Sequence, residues 1–155
     1  MPDQRQELTE VRRTVSATPE RIFAELSDGW TYVGWVVGAT HVRDVDAEWP
    51  TPGSCIHHKF GTWPVVISDT TEVMEFDPDS RIVLKAKGWP LGEARVEIEA
   101  RPLSTTESEL VIREAPIEGP GRWLDNPALR WGLRRRNIET LARLADRVEN
   151  RPAPR

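Results

Sequence analysis

The fold of this chain is decided between residues 15 and 35, where the sequence reads VSATPERIFAELSDGWTYVGW. Thr18 and Pro19 mark a helix start, because a hydroxyl cap precedes a residue whose missing N–H costs nothing at the first helical position. An apolar stripe at helical spacing follows, made of Ile22, Phe23 and Leu26. The segment therefore predicts that a strand ending near Ser16 leads directly into a helix.

A second short helical segment follows the first. Asp28 and Gly29 end the first helix, since this pair favours a turn. The next residues place Tyr32, Trp35 and Val36 on a further helical run. We expect these two small, aromatic-rich helices to close one end of a curved sheet. Such an arrangement favours a hollow protein that holds a small molecule.

The sequence between residues 40 and 115 shows strand patterns. The clearest is 93–101, where alanine, valine and isoleucine alternate with glutamate and arginine, so that one face is apolar and the other charged. The short strand at 40–46 is polar, and we expect it at an edge of the sheet. The predicted strands are residues 6–16, 40–46, 54–60, 65–76, 81–87, 93–101 and 109–115.

The pattern predicts a long helix after the last strand. Asn126 caps it, Pro127 occupies its first position, and we expect it to run to about Glu149. Its predicted apolar stripe consists of Leu129, Leu133, Ile138, Leu141, Ala142, Ala145 and Val148. An antiparallel sheet must bury one face, and this helix is long enough to cover it. We therefore predict an α+β fold, in which a curved antiparallel sheet of six to seven strands surrounds a long C-terminal helix.

The composition excludes several classes of function. Acidic residues outnumber basic ones by 25 to 21 among 155 residues, so the basic footprint of a nucleic-acid-binding protein is absent. Cys55 is the single cysteine, which rules out an internal disulfide and favours a cytoplasmic protein. No apolar run is long enough to span a membrane, so stable membrane insertion is not expected. Nucleotide-binding and common hydrolase motifs are also missing, and we expect no cofactor.

Several segments together carry a family resemblance: residues 15–23, residues 32–35, Pro52-Gly53 at the entry to the third strand, residues 73–78, and the final helix. They resemble the START-like (SRPBCC) superfamily, in its polyketide cyclase/dehydrase and lipid-transport branch. The resemblance implies a helix-grip fold with a hydrophobic cavity between sheet and helix. Members bind lipids, sterols, hormones or polyketides, and some are enzymes. We expect one START-like domain at residues 1–150 and a disordered tail at 151–155.

The run from Cys55 to His58 is the first candidate for chemistry. On a strand, Cys55 and His57 share one face. His58 lies on the other face with Ile56 and Phe60, which is the expected cavity side. Two ligands on one face do not make a metal site, and none is predicted. His58 is either a hydrogen-bonded core residue or a group that orients a ligand or exchanges a proton with it near neutral pH.

Glu114 is the second candidate, because strand periodicity places it on the inward face with Ile112. A buried carboxylate takes a raised pKa or needs a positive partner. The available arginines are Arg113, Arg130, Arg134, Arg135 and Arg136. The pattern leaves open whether Glu114 forms a structural ion pair or acts in catalysis. The arginine cluster on the helix is a solvated face or, alternatively, a headgroup site at the cavity mouth.

Three classes of function remain open. The first is binding or transport of a small hydrophobic ligand, lipid- or polyketide-like, in an internal cavity. The second is a polyketide cyclase or dehydratase, with His58, Glu114 and Tyr32 as catalytic candidates. The third is a protein-interaction module of the same fold. The sequence leaves the oligomeric state open. The expected ligand-binding residues are Tyr32, Trp35, His58, Phe60, Leu84, Val96, Ile98, Glu114 and Leu133.

Overall fold

A computed structural model describes residues 9–88, 92–118 and 126–152. Within these ranges the predicted order of elements is confirmed. The chain runs through β1 (Thr9–Val15), α1 (Pro19–Ser27), a 3-10 helix (Gly29–Gly34), β2 (Ala39–Val45), β3 (Cys55–Thr62), β4 (Val65–Asp77), β5 (Arg81–Gly88), β6 (Gly92–Pro102), β7 (Ser108–Glu118) and α2 (Pro127–Asn150). The tail residues 153–155 lie outside the described ranges.

The strands form one curved antiparallel sheet. Its order is β1-β7-β6-β5-β4-β3-β2, so every strand from β2 to β7 pairs with its neighbour in sequence. β2 lies at one edge, as its polar sequence predicts. β1 lies at the other edge, where it pairs with β7. The α+β helix-grip fold is therefore present, with α2 against the concave face of the sheet. No helix in the described ranges is long and apolar enough to cross a membrane.

Side-chain caps fix the starts of the helices. The Thr18 hydroxyl accepts a hydrogen bond from the Arg21 amide at 3.3 Å, and Pro19 follows it as the first residue of α1. The Asp28 carboxylate accepts from the Trp30 amide at 3.2 Å and begins the 3-10 helix. These local bonds satisfy amides that have no partner inside the helix. They explain why the sequence between residues 15 and 35 breaks into two short helices rather than one.

The core lies between the concave face and the C-terminal half of α2. Its helix side is formed by Leu141, Leu144, Ala145 and Val148, all buried. The predicted stripe was wrong at Ile138, which is 44% exposed, and it omitted Leu144, which is fully buried. The buried arc of α2 is centred on the line from Asn137 through Leu141 to Val148. Ile138 lies one residue, or about 100°, away from that line.

The convex face carries a ladder of ion pairs across neighbouring strands. Arg113 donates to Glu97 at 2.8 Å, to Glu99 at 2.9 Å and to Glu10 at 2.6 Å. By their cross-strand partners, Val83 and Val111 share this face, yet both are fully buried. The long charged side chains therefore cover these valines, since such side chains bury their stems while the charged ends stay in water.

Hydrogen bonds from Arg101, assisted by those from Arg113, lower the pKa of Glu99 from 4.5 to about 2. Because the folded-state pKa is the lower one, this contribution to stability is present above pH 4.5 and is lost as the pH falls toward 2. We expect Glu99→Gln to lower stability at pH 7 and to flatten its decline over that acid range, measured by urea denaturation. Glu107→Gln, in an exposed turn, should keep the wild-type pH profile. An unchanged profile for Glu99→Gln would contradict the assigned role.

A second prediction concerns the buried arc of α2. Leu141→Ala should reduce the free energy of unfolding by about 2–5 kcal/mol, because it removes a fully buried side chain. Ile138→Ala on the same helix is the matched control and should cost about 0.5 kcal/mol or less as a surface change. Urea denaturation measures both. Equal losses would mean that the helix is rotated away from the orientation described.

Candidate ligand cavity

A cavity of about 190 Å³ lies between the sheet and the N-terminal half of α2. Its lining is largely apolar. Every residue that the sequence assigned to ligand binding lies in this lining, namely Tyr32, Trp35, His58, Phe60, Leu84, Val96, Ile98, Glu114 and Leu133. Arg136, from the arginine cluster that the sequence singled out, lies in the lining too, and so do Thr71, Asn137 and Thr140, which the sequence did not single out. Their polar character hid them from a search for apolar faces.

Strand alternation builds the floor of the cavity. Cross-strand pairing aligns Leu84 of β5 with Val96 of β6, and Val96 with Glu114 of β7. Paired residues of neighbouring strands point to the same face of a sheet. One row across three strands therefore contributes two aliphatic side chains and one carboxylate to the same wall.

The 3-10 helix and Trp35, the residue that follows it, supply an aromatic wall. The Tyr32 and Trp35 rings meet edge to face, with centroids 5.3 Å apart. The Tyr32 ring stacks on the His58 imidazole, with centroids 5.1 Å apart. All three side chains are buried. The strand phase of β3 therefore places His58 on the cavity side, in contact with Tyr32.

Thr71 joins Tyr32 and His58 into one hydrogen-bonded group. The Tyr32 hydroxyl and His58 Nε2 each lie 2.9 Å from the Thr71 hydroxyl oxygen. Thr71 belongs to β4 and is fully buried. The signal for it in the sequence is its spacing of two from Val73, which puts both side chains on the inward face.

Burial sets the protonation states of this group. It lowers the pKa of His58, with a smaller opposing effect from Asp69, so the imidazole is neutral near pH 7. Burial also raises the pKa of Tyr32 to about 12, and the phenol keeps its proton. The wall thus presents neutral hydrogen-bonding groups rather than charges.

Glu114 is fully engaged by α2. Its carboxylate accepts two hydrogen bonds from Arg136, each 2.5 Å, and one of 3.0 Å from Asn137. Arg136 is thus the arginine that meets this carboxylate. Arg134 instead donates to the backbone oxygen of Glu10, and Arg135 lies over the exposed Trp131 ring at 5.0 Å. The arrangement satisfies Glu114 within the protein.

Three further residues that could act in chemistry or binding, His57, Asp46 and Trp63, lie outside the cavity lining. His57 Nε2 is 3.0 Å from Asp46, and neither residue belongs to the lining. Trp63 is 89% exposed on the hairpin between β3 and β4, whereas Trp89 lies outside the described residues. Across residues 9–88, 92–118 and 126–152, no three His, Cys, Asp or Glu side chains are grouped so that they would hold a metal ion.

The sequence of residues 6–149 matches a family model described as polyketide cyclase / dehydrase and lipid transport. The chain belongs to this family. The match spans nearly the whole chain and agrees with the helix-grip architecture and its cavity. A search of the curated proteins finds no match.

Solved structures share the fold of this family member. Protein CV1439 from Chromobacterium violaceum is 22% identical, with a TM-score of 0.65 over 90% of this chain and 96% of that one. An aromatase/cyclase from a Streptomyces species is 15% identical, with a TM-score of 0.68 over 90% and 92%. The Aha1 dimer from Colwellia psychrerythraea is 14% identical, with a TM-score of 0.64 over 91% and 95%. At these identities the likeness shows the fold alone.

The Thr71 hydroxyl offers a direct test of the hydrogen-bonded group. Thr71→Val keeps the shape of the side chain but leaves the Tyr32 hydroxyl and His58 Nε2 without their shared partner. We expect it to lower the free energy of unfolding by about 1–3 kcal/mol, the cost of buried polar groups left unsatisfied.

Thr70→Val is the matched control, because Thr70 is half-buried and points to the opposite face of β4. It should change stability by about 0.5 kcal/mol or less. Chemical denaturation measures both variants. A Thr71→Val protein as stable as Thr70→Val would contradict the shared hydrogen bonds.

Proposed function

We propose that the protein binds or carries a small, largely apolar molecule in the cavity between the sheet and α2. The observation that carries the proposal is the cavity itself, about 190 Å³ and lined from both sides by aliphatic and aromatic side chains. A cavity of about 150 Å³ with such a lining binds benzene. The volume therefore suits a molecule of about one or two rings, or a short chain.

The polar groups of the cavity define the expected ligand further. One hydrogen-bonded group surrounds Glu114 of β7 and another joins Tyr32, Thr71 and His58, and the charged residues Lys87 and Glu93 also line the cavity. Pockets of this kind gain affinity from apolar burial and orientation from a few polar groups. We therefore propose a planar or chain-like molecule that carries a few oxygen atoms. A cytoplasmic site of action agrees with the single cysteine.

Catalysis by a cavity acid or base is the second candidate, supported by the family description and by the aromatase/cyclase of similar fold. The candidate groups favour binding over catalysis. Glu114 is held by Arg136 and Asn137, and the Tyr32 phenol keeps its proton. The third candidate, His58, is a neutral imidazole whose pKa is lowered by burial. Turnover would thus depend on a single group, whereas binding needs only the cavity.

A protein-interaction module is the third alternative. The hairpin between β3 and β4 exposes Trp63, Val65 and Val66, which would be the feature to support it. An exposed apolar tip does not account for the cavity beneath α2. The cavity therefore favours a small-molecule ligand.

The proposal is tested by filling the cavity. Ala94 lies in its lining, whereas Ala24 is exposed on α1. We expect naphthalene and 1-naphthol to shift the methyl resonances of Leu84, Val96 and Ile98 in the wild-type protein. Ala94→Phe should weaken this binding at least about tenfold, which corresponds to about 1.4 kcal/mol. Ala24→Phe should leave it unchanged.

Either of two results would contradict cavity binding. One is equal affinity in the Ala94→Phe and wild-type proteins. The other is a set of shifts confined to exposed side chains such as Val65 and Leu103. Where cavity binding is observed, native mass spectrometry of the protein purified from its own host would identify the natural molecule.

A further inference from the structure

A buried ion pair joins the C-terminal half of α2 to α1. Arg147 donates through Nε to the carboxylate of Glu25, which is 3% exposed. The Arg147 side chain is itself 14% exposed. Neither residue belongs to the cavity lining, so the pair takes no direct part in contact with a ligand. Burying two charges is costly, and the arrangement around this pair shows what else it does.

The guanidinium of Arg147 also lies directly against Gly34, the last residue of the 3-10 helix. A Cβ atom added at Gly34 would lie 2.5 Å from Arg147 Nη1 and 2.9 Å from Cζ. Side chains do not approach one another so closely, and the contact therefore requires glycine. Because its Nε is bonded to Glu25, the guanidinium cannot move aside without giving up a buried hydrogen bond.

The other end of the 3-10 helix is packed just as closely on the sheet. A Cβ atom added at Gly29 would lie 2.7 Å from Cγ1 of Val45 in β2. The helix has only six residues, so it is fixed between the sheet at Gly29 and α2 at Gly34. Tyr32 lies between these two contacts, and Trp35 directly follows the second one. Movement at either contact would therefore move the rings of the aromatic wall.

α2 contacts the same segment at a second point. The Val37 amide donates a hydrogen bond to the Thr140 hydroxyl at 3.4 Å. Thr140 and Arg147 are about two helical turns apart and so share one face of α2. Thr140 lines the cavity, whereas Arg147 does not. One face of α2 therefore both borders the cavity and holds the segment that forms its aromatic wall.

We infer that Arg147 is a positioning residue of the cavity, which holds the 3-10 helix through Gly34 and so sets the place of the Tyr32 and Trp35 rings. This inference rests on the proposed function and adds to it a residue outside the cavity lining. The plane of one guanidinium thereby determines the shape of the pocket at its aromatic wall. Lysine would keep the charge that Glu25 needs but would lack that plane.

The test inserts a methyl group between the guanidinium and the helix and then makes room for it. Naphthalene affinity is measured by methyl-resonance titration. We expect Gly34→Ala and Arg147→Lys each to weaken binding at least about twofold, the lower end of the coupling between residues in contact. The first change displaces the helix and the second leaves it unsupported. The double variant should bind more tightly than either single one, because lysine lacks the Nη1 and Cζ atoms that the methyl group would meet.

Gly132→Ala is the matched control. A Cβ atom added at this exposed position of α2 would meet nothing within 4 Å, so naphthalene affinity should not change. Urea denaturation of the same variants separates positioning from stability. Two changes that acted only by destabilising the fold would not restore affinity when combined.

A second measurement uses the unaltered protein and so does not depend on the folding of a variant. Naphthalene should shift the Gly34 amide and Arg147 Nε–H resonances, although neither residue lines the cavity. The Nε–H of Arg113, which is bonded to Glu10 on the convex face, should not shift.

Three results would overturn the inference and leave the cavity proposal intact. They are wild-type affinity in Gly34→Ala, a double variant that binds no more tightly than the single ones, and cavity binding that leaves the Gly34 and Arg147 resonances unmoved. Failure of naphthalene to enter the cavity of the wild-type protein would overturn the cavity proposal, and the positioning role with it.

Discussion

The structure depends on how one helix covers one face of a seven-stranded sheet. α2 has 24 residues and is therefore about 36 Å long, but it is only one helix wide. It packs chiefly against β1, at one edge of the sheet. Thr71 of β4 and Leu84 of β5 line the cavity that lies between the sheet and this helix. A single helix is too narrow to cover the whole concave face of a sheet of this size, and a cavity results.

The two halves of α2 differ in their contacts with the sheet. The C-terminal half is fixed by apolar packing through Leu141, Leu144 and Val148. The N-terminal half lies over the cavity, where Leu129 and Leu133 are only partly buried. The hydrogen bonds of Arg136 and Asn137 to Glu114 lie between the two halves. They hold the helix to β7 at the point where packing gives way to open space.

Much of this arrangement could be predicted because strands have a simple period. His58 and Glu114 each share parity with aliphatic neighbours, and a period of two put both on the inward face. The convex face also follows from the alternation in 93–101. Alternation does not reveal that the charged side chains of the convex face form ion pairs, or that these pairs cover Val83 and Val111. That outcome depends on cross-strand registers, which no single strand encodes.

The helix and the polar lining were harder to predict. A helical stripe tolerates a rotation of several tens of degrees. The prediction therefore included the exposed Ile138 in the core and omitted the buried Leu144. Thr71 and Asn137 have polar side chains that are also common on surfaces, and their burial follows from partners far away in sequence. Thr71 meets Tyr32, 39 residues earlier, and Asn137 meets Glu114, 23 residues earlier. Pairings at such distances become visible only when the sheet and α2 are assembled.

The cavity contains two hydrogen-bonded polar groups that differ in charge, and this difference bears on function. The group around Glu114 closes on itself: a carboxylate, a guanidinium and an amide satisfy one another and tie α2 to β7. Because breaking it would leave a buried charge without its partner, it is suited to stabilising the fold. The group around Thr71 joins the 3-10 helix to β3 and β4, and its side chains are neutral. A few neutral polar groups at the wall of a largely apolar cavity orient a ligand by hydrogen bonds rather than by charge.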